Sequence, residues 1–326
     1  MRRPKVCIVT PALADANNGN WRTAKRWASM LADRYAVRLA KNWLPGDDGD
    51  LLIALHARRS ADSVAAWSAS CHNCPVIVVL TGTDLYRDIR TDPSAQLSLT
   101  LATRLIVLQA AGPRELSPAL QTKCRIVYQS ARARPPVDKT RRRLRAVVVG
   151  HLREEKSPQT IFEAARLLAP AEGIVLDHYG AALDPNLGEQ ARATAATCPH
   201  YRWHGGVAHS DARHAMQRAH VLVHCSRMEG GAHVILEAVR GGTPVIASRI
   251  PGNTGMLGDD YDGYFETGDA GALVALLRRA RQEQGGTDGL LAKLQVQCAA
   301  RDALFTPEAE KAALLAVIED VLKTHR

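Results

Sequence analysis

The feature that most limits the fold is an alternation that runs, stops and starts again. In the first half, Val6–Thr10, Val37–Ala40, Leu51–Leu55, Val76–Leu80, Leu105–Leu108 and Arg125–Tyr128 are short apolar runs expected to be strands. Helical stretches lie between several of them, such as Trp21–Leu31 and Ser60–Ser70. A basic segment interrupts the pattern, which then resumes with expected strands at Ala146–Val149, Ile174–His178, Tyr201–Trp203, Val221–Val223 and Pro244–Ala247. The expected helices here are Pro158–Leu168, Asn186–Ala196, Asp211–Arg218 and Ala232–Arg240. Continuously apolar strands, rather than alternating ones, belong to parallel sheets covered on both faces. Strand–helix repetition of this kind makes an α/β doubly wound sheet.

The chain therefore reads as two Rossmann-like units, and its 326 residues suit two domains of ordinary size. The expected division is an N-terminal domain over 1–135, a basic linker over 136–145, a C-terminal domain over 146–305 and a final amphipathic helix within 306–326 that could return to the N-terminal domain. Two such domains facing a central cleft would present the carboxyl ends of both sheets to it, where ligands of open α/β sheets bind. Aromatics are only 5% of the chain, so aliphatic side chains and alanine must fill the cores.

The formal net charge is +9, and much of the excess falls between Arg132 and Arg145, where seven cations face only Asp138. With Pro135-Pro136 and no apolar periodicity, this stretch reads as a solvated linker. No nucleic-acid motif accompanies it, so a pocket for small polyanions is favoured over nucleic acid. No apolar run is long enough to span a bilayer, and the run from Val6 meets Pro11 too soon for a signal peptide, so a cytoplasmic protein without a membrane partner is expected. The seven cysteines are odd in number and scattered, which argues against a disulfide framework. Cys71-His72-Asn73-Cys74 has metal-like spacing but no second pair, and reads as a helix end.

The sharpest motif is Glu229-Gly230-Gly231-Ala232-His233-Val234-Ile235-Leu236-Glu237. It follows an expected strand and opens a helix. Glycines admit a ligand close to the backbone, and a helix start offers N–H groups to phosphate. A carboxylate two turns along suits the vicinal hydroxyls of ribose or a sugar. The bland alternative is a surface helix with two solvated glutamates. The stretch, with Gly241-Gly242-Thr243-Pro244-Val245 downstream, resembles the glutamate–seven residues–glutamate signature of the glycogen-synthase-like GT-B glycosyltransferases. The resemblance implies a GT-B fold, a nucleotide-sugar substrate, Glu229 facing the donor sugar, and Glu237 holding the nucleotide ribose. Gly230, Gly231, Ala232 and His233 would line the donor.

Three further segments extend the likeness. Gly150-His151-Leu152-Arg153, followed by Lys156, occupies the place of the family's diphosphate-binding loop. There Lys156 matches the family's lysine, His151 replaces its arginine, and Arg153 could supply the missing charge. Trp203-His204-Gly205 resembles the loop beneath the nucleotide base. At Thr81-Gly82-Thr83-Asp84, Thr81 stands where retaining members carry a histidine, and Asp84 is the nearby carboxylate, a base or merely a loop cap.

The Gly19-Asn20-Trp21-Arg22-Thr23 loop, preceded by Asn17-Asn18, could cradle an anion or be an ordinary turn. His56, Arg58 and Arg59, at the end of an expected strand, suit an anionic acceptor. These segments, with Ser226-Arg227-Met228-Glu229 and Ser248–Asn253, together resemble the selenosugar synthases of selenoneine biosynthesis over most of the chain. That likeness implies a UDP-sugar donor, such as UDP-N-acetylglucosamine or the glucose counterpart, and selenophosphate as acceptor. No cofactor beyond the UDP-sugar is expected and no metal, because Asp47-Asp48-Gly49-Asp50 precedes its strand and lies at the wrong end of the sheet. A transferase acting on a hydroxyl acceptor and a non-catalytic sugar-nucleotide binder remain open. Arg22, Lys25 and Arg26 on one helix keep a lipid acceptor among the alternatives.

Overall fold

The computed structural model describes residues 2–11, 19–71 and 73–324. The chain divides into two compact units, one made of Met1–Gln129, Glu229–Gly231 and Pro307–Arg326, the other of Ser130–Met228 and Ala232–Thr306.

The first unit is built on six parallel strands: β1 (Lys5–Val9), β2 (Ala36–Ala40), β3 (Leu51–Leu55), β4 (Val76–Leu80), β5 (Arg104–Val107) and β6 (Cys124–Ile126), in the order β2-β1-β3-β4-β5-β6. Every residue of β3 and β4 is buried, as continuous apolar runs require. Leu52 and Ala54 enter one core with Val64 and Trp67, while Leu51, Ile53 and Leu55 enter the other with Trp27 and Leu31. The C-terminal helix Pro307–Thr324 completes that second face with Leu314, Val317, Ile318 and Val321.

One polar contact fixes this helix. The Glu310 side chain is fully buried, accepting from Arg26 Nε at 2.8 Å and Trp27 Nε1 at 2.7 Å. Arg26 is thus committed to the interior, which weakens the case for its helix as a membrane-facing surface. The Asp47–Asp50 run is also spoken for: Asp47 pairs with Arg38 at 2.7 Å, Asp48 with Lys5, and Asp50 with Arg2 at 2.9 Å.

The second unit holds β7 (Leu144–Val149), β8 (Ile174–Tyr179), β9 (Tyr201–Trp203), β10 (Val221–His224), β11 (Val245–Ser248) and β12 (Tyr264–Phe265), again all parallel, in the order β12-β11-β10-β7-β8-β9. β12 was not foreseen; two residues carry no periodic signal. In both sheets the order reverses once, between β1 and β3 in the first and between β7 and β10 in the second. At such a switch point two loops diverge and leave a crevice for ligand.

Three expectations need correction. The basic segment is largely exposed, as expected, but it is hydrogen-bonded along the second unit as a strap rather than standing apart as a linker. Arg134 N–H donates to Arg240 O at 3.1 Å, Gln217 Nε2 to Pro135 O at 2.5 Å, Gln284 Nε2 to Thr140 O at 2.9 Å and Arg281 Nη2 to Arg142 O at 3.0 Å. Backbone carbonyls anchor it, a pattern that charge counting does not reveal. Burial lowers the Lys139 ammonium to about 8. Second, Cys71 and Cys74 form a disulfide; it joins neighbours at a helix end and staples no distant segments, and His72 between them lies outside the described residues. Third, Gly19 and Asn20 are the first turn of the helix Gly19–Leu31, not a loop; Asn17 and Asn18 lie outside the described residues. Among the described residues no helix is long and apolar enough to cross a membrane.

Removing the acceptor of a buried ion pair leaves the partners uncompensated. Glu310→Ala is expected to destabilise the first unit by about 3–5 kcal/mol, with Glu310→Gln milder because it still accepts from Trp27. Urea unfolding followed by tryptophan fluorescence checks this, and equal midpoints for all three proteins would refute it.

Candidate active site

In the second unit the switch point lies between the loops that follow β7 and β10. After β7, Gly150 is held from both sides: its N–H donates to Tyr179 O at 2.9 Å, and its carbonyl accepts from His178 Nε2 at 3.3 Å. Burial lowers His178 to about 4, so the ring is neutral, with Tyr201 Oη at 3.1 Å on its other nitrogen. The His151 Nδ1 accepts the Ala181 N–H at 3.1 Å and ties the β7 loop to the β8 loop. Gly180 is required where these loops meet, since a Cβ there would lie 1.9 Å from Gly150 O. Sequence reasoning missed that glycine.

The loop continues through a tight turn, Glu154–Lys156, and Ser157 in the left-handed region (φ 47°) before the helix Pro158–Leu167. The Lys156 stem crosses Gly150, and both line a cavity of about 10 Å³ with His178, His224 and Ser226. Arg153 is exposed, with Glu155 Oε2 3.9 Å away. The backbone of Arg227, in the β10 loop, donates to Glu155 O at 2.8 Å, so the two loops are mutually fixed.

Beyond β10 the helix His233–Arg240 begins without a side-chain cap. Ala232 precedes it, buried, with its N–H directed to Met256 Sδ at 3.1 Å. Glu237 lies on this helix with its side chain only 6% exposed. His209 Nε2 is 2.6 Å from Glu237 Oε1, His233 Nδ1 3.4 Å and Arg213 Nε 3.6 Å. Burial alone would raise the Glu237 pKa; hydrogen bonds from His209 and His233 outweigh it and hold the carboxyl far below its ordinary range. It is therefore an anion held in place by donors. His209 and Arg213, on the helix His209–Arg218, were not foreseen because the pairing joins two helices.

Trp203 donates Nε1–H to Gly180 O at 2.8 Å, and His204 stacks on Tyr179 with ring centroids 4.3 Å apart while pairing with Asp177 at 3.0 Å. Gly205, with φ 68°, passes its carbonyl to Gly180 N–H at 2.7 Å. The stacked pair is a flat surface of the kind that receives a base. Two other motif segments have structural roles. Gly242 (φ 68°) ends the helix His233–Arg240, and Asn253 Nδ2 donates to Ser248 O at 2.9 Å.

In the first unit the loop after β3 lies on one side of the switch point. His56 is buried and left-handed (φ 77°), a conformation that costs a non-glycine residue energy and clusters at functional sites. Its Nδ1 accepts from Arg59 N–H at 3.3 Å and Nε2 reaches Thr83 Oγ1 at 3.1 Å. Desolvation lowers its pKa, so the ring is neutral and both nitrogens are engaged. Arg58 Nε lies 3.0 Å from Asp88 Oδ2 and Arg87 Nε 3.1 Å from Asp88 Oδ1, on a π-helical turn, Asp84–Asp88. Arg59 is exposed.

Asp84 is wholly buried and its oxygens accept from Thr81 N–H, Gly82 N–H and Ala57 N–H, each at 2.9 Å. It fastens the β4 loop to the β3 loop, the loop-cap alternative. Glu229–Gly231 groups with this unit: a Cβ on Gly230 would lie 2.3 Å from Thr81 C and O, and one on Gly231 2.7 Å from Leu108 Cβ. Glu229 itself is half-buried. Thr23, expected at the acceptor, is turned inward, with its Oγ1 bonded to Gly19 O at 2.9 Å and to Gln129. Arg22 is half-buried.

The model for glycosyl transferases group 1 matches residues 130–296, more than half of the chain. The chain belongs to that family and is a glycosyltransferase with the GT-B fold. Solved structures similar to it include sucrose-phosphate synthase from Thermosynechococcus elongatus, at TM-score 0.76 and 16% identity over 99% of this chain and 100% of that one. Another is HepE from Anabaena in complex with UDP and glucose, at TM-score 0.74 and 13% identity over 97% and 100%. A lipopolysaccharide outer core galactosyltransferase, WaaB, follows at TM-score 0.69 and 13% identity over 97% and 99%. No curated protein matches the sequence at a significant level.

The clamp role of Asp84 has a distinct signature. Asp84→Asn places N–H donors against backbone donors and is expected to destabilise the first unit by about 1–3 kcal/mol. Thermal unfolding measures this; lost turnover with unchanged stability would instead mark the carboxylate as a base.

Proposed function

We propose that this glycosyltransferase moves a hexose, N-acetylglucosamine or glucose, from a UDP-sugar to selenophosphate, giving a 1-selenosugar. The donor belongs to the second unit. Glu237, an anion already surrounded by donors, accepts from the ribose hydroxyls, and the Tyr179–His204 stack lies under the base. Lys156 and the N-terminus of His233–Arg240 meet the diphosphate charge, so no metal is required. Glu229 faces the sugar. HepE, similar in fold, binds UDP and glucose, in keeping with this donor.

The observation that supports the acceptor reading is that, among the described residues, neither Asp84 nor His56 is available as a general base. An alcohol needs one near neutral pH. Yet Asp84 is taken up by three backbone N–H groups, His56 is buried with both nitrogens engaged, and Thr81 stands in the histidine position. Selenophosphate is already an anion with a polarizable selenium and needs positive charge instead. Exposed Arg59 supplies it, joined by Arg58, which is shared with Asp88, and by Arg22 and the Gly19-Asn20 turn as further donors. Selenium forms its bond to the anomeric carbon as the carbon–oxygen bond to UDP breaks with its electron pair. Water then cleaves the selenium–phosphorus bond, releasing phosphate and the selenol.

Glu237→Ala and Lys156→Ala each remove a charged hydrogen bond worth about 1.5–3 kcal/mol. UDP affinity by calorimetry is expected to fall roughly tenfold or more; an unchanged value would refute the donor assignment. For the acceptor, UDP release is measured with freshly made selenophosphate and with a panel of alcohols. Selenophosphate is expected to be turned over and Arg58→Ala to lose that turnover while keeping UDP affinity. Turnover of an alcohol but not of selenophosphate would leave the glycosyltransferase reading and end the selenium one.

A further inference from the structure

The three side chains around Glu237 Oε1 have a second chemical meaning. His209 Nε2, His233 Nδ1 and Glu237 Oε1 all lie within 4.8 Å of one another. His233 and Glu237 are four residues apart on one helix and project from the same face. His209 opens a neighbouring helix and closes the triangle at 2.6 Å from the carboxylate. Zinc takes imidazole nitrogen at about 2.0–2.1 Å and carboxylate oxygen at about 2.0–2.2 Å, and three protein ligands leave the fourth tetrahedral position open. Donors in such a set stand ~3.3 Å apart. The two separations from Oε1, 2.6 Å and 3.4 Å, bracket that spacing, and the two nitrogens lie within 4.8 Å of each other.

The carboxylate is suited to this. The Glu237 side chain is buried, and imidazole nitrogen with carboxylate oxygen is a donor set that zinc accepts once the ring nitrogens have given up their protons. Arg213, 3.6 Å from the same oxygen, opposes a cation and limits its affinity.

We propose that His209, His233 and Glu237 form a three-ligand site for a zinc-type divalent ion, and that the ion and the donor nucleotide exclude each other there. The exclusion rests on the reading of Glu237 as the ribose site; the metal site does not. An ion on Oε1 draws on the same carboxylate that the ribose hydroxyls need and takes up the space beside it, so free zinc would inhibit the transfer.

Cobalt(II) reports the site without any turnover, because a tetrahedral ion with nitrogen and oxygen ligands absorbs visible light far more strongly than the hydrated ion. Protein stripped with a chelator and then freed of it is titrated with cobalt(II). One equivalent is expected to give an intense visible band that zinc bleaches. His209→Ala, at a half-exposed helix start where folding is not at risk, is expected to weaken cobalt binding at least tenfold, and His233→Ala likewise. Absence of the band, or a band of equal affinity in both variants, would overturn the metal site. Saturating uridine, which carries the ribose but no diphosphate to chelate the ion, is expected to remove the band. A band that persists with uridine bound would overturn the exclusion, and with it the ribose assignment of Glu237, while leaving the metal site in place.

Discussion

A parallel strand covered on both faces has no place for an unpaired charge, because burying one costs far more than any single contact returns. This constraint orders the whole chain. β3, β4, β10 and β11 are buried throughout and carry no aspartate, glutamate, lysine or arginine. The charged residues that could do chemistry are displaced to the carboxyl-end loops, and each sheet reverses its order once, which brings two such loops together. The exception shows the rule: Asp177, in β8, is paired with Arg145 and His204.

What the loops then do differs between the units. In the second, backbone groups hold Gly150, His151 and Gly180 in place, and the buried carboxylate of Glu237 is surrounded by donors. The proposed UDP-sugar donor is assigned to this arrangement. In the first, the carboxylates Asp84 and Asp88 are consumed internally, one by backbone N–H groups and one by Arg58 and Arg87. Arg59, beside them, is exposed, in keeping with the proposed acceptor that brings its own negative charge.

Much of this was legible in the sequence. Continuous apolar runs located eleven of the twelve strands to within a few residues, because a parallel strand has a length and composition that little else shares. The Glu229–Glu237 spacing and the Gly150–Lys156 loop were visible because their residues are close in sequence. The rest required the third dimension. Nothing in the order of residues links His209 to Glu237, Glu310 to Trp27, or Gly180 to Gly150. The basic segment was misread because its anchors are backbone carbonyls, which charge counting ignores. Thr23 was assigned to the acceptor from its place in a motif, although its side chain turns into the core.

The central claim is that selenium, not oxygen, becomes bonded to the anomeric carbon. NMR on the product from UDP-N-acetylglucosamine labelled at that carbon, with selenophosphate as the only acceptor, tests it without reference to rates. The account predicts an anomeric carbon resonance flanked by satellites from one-bond coupling to selenium-77. A labelled anomeric carbon bonded to oxygen alone, in a reaction that has consumed the donor, would contradict it.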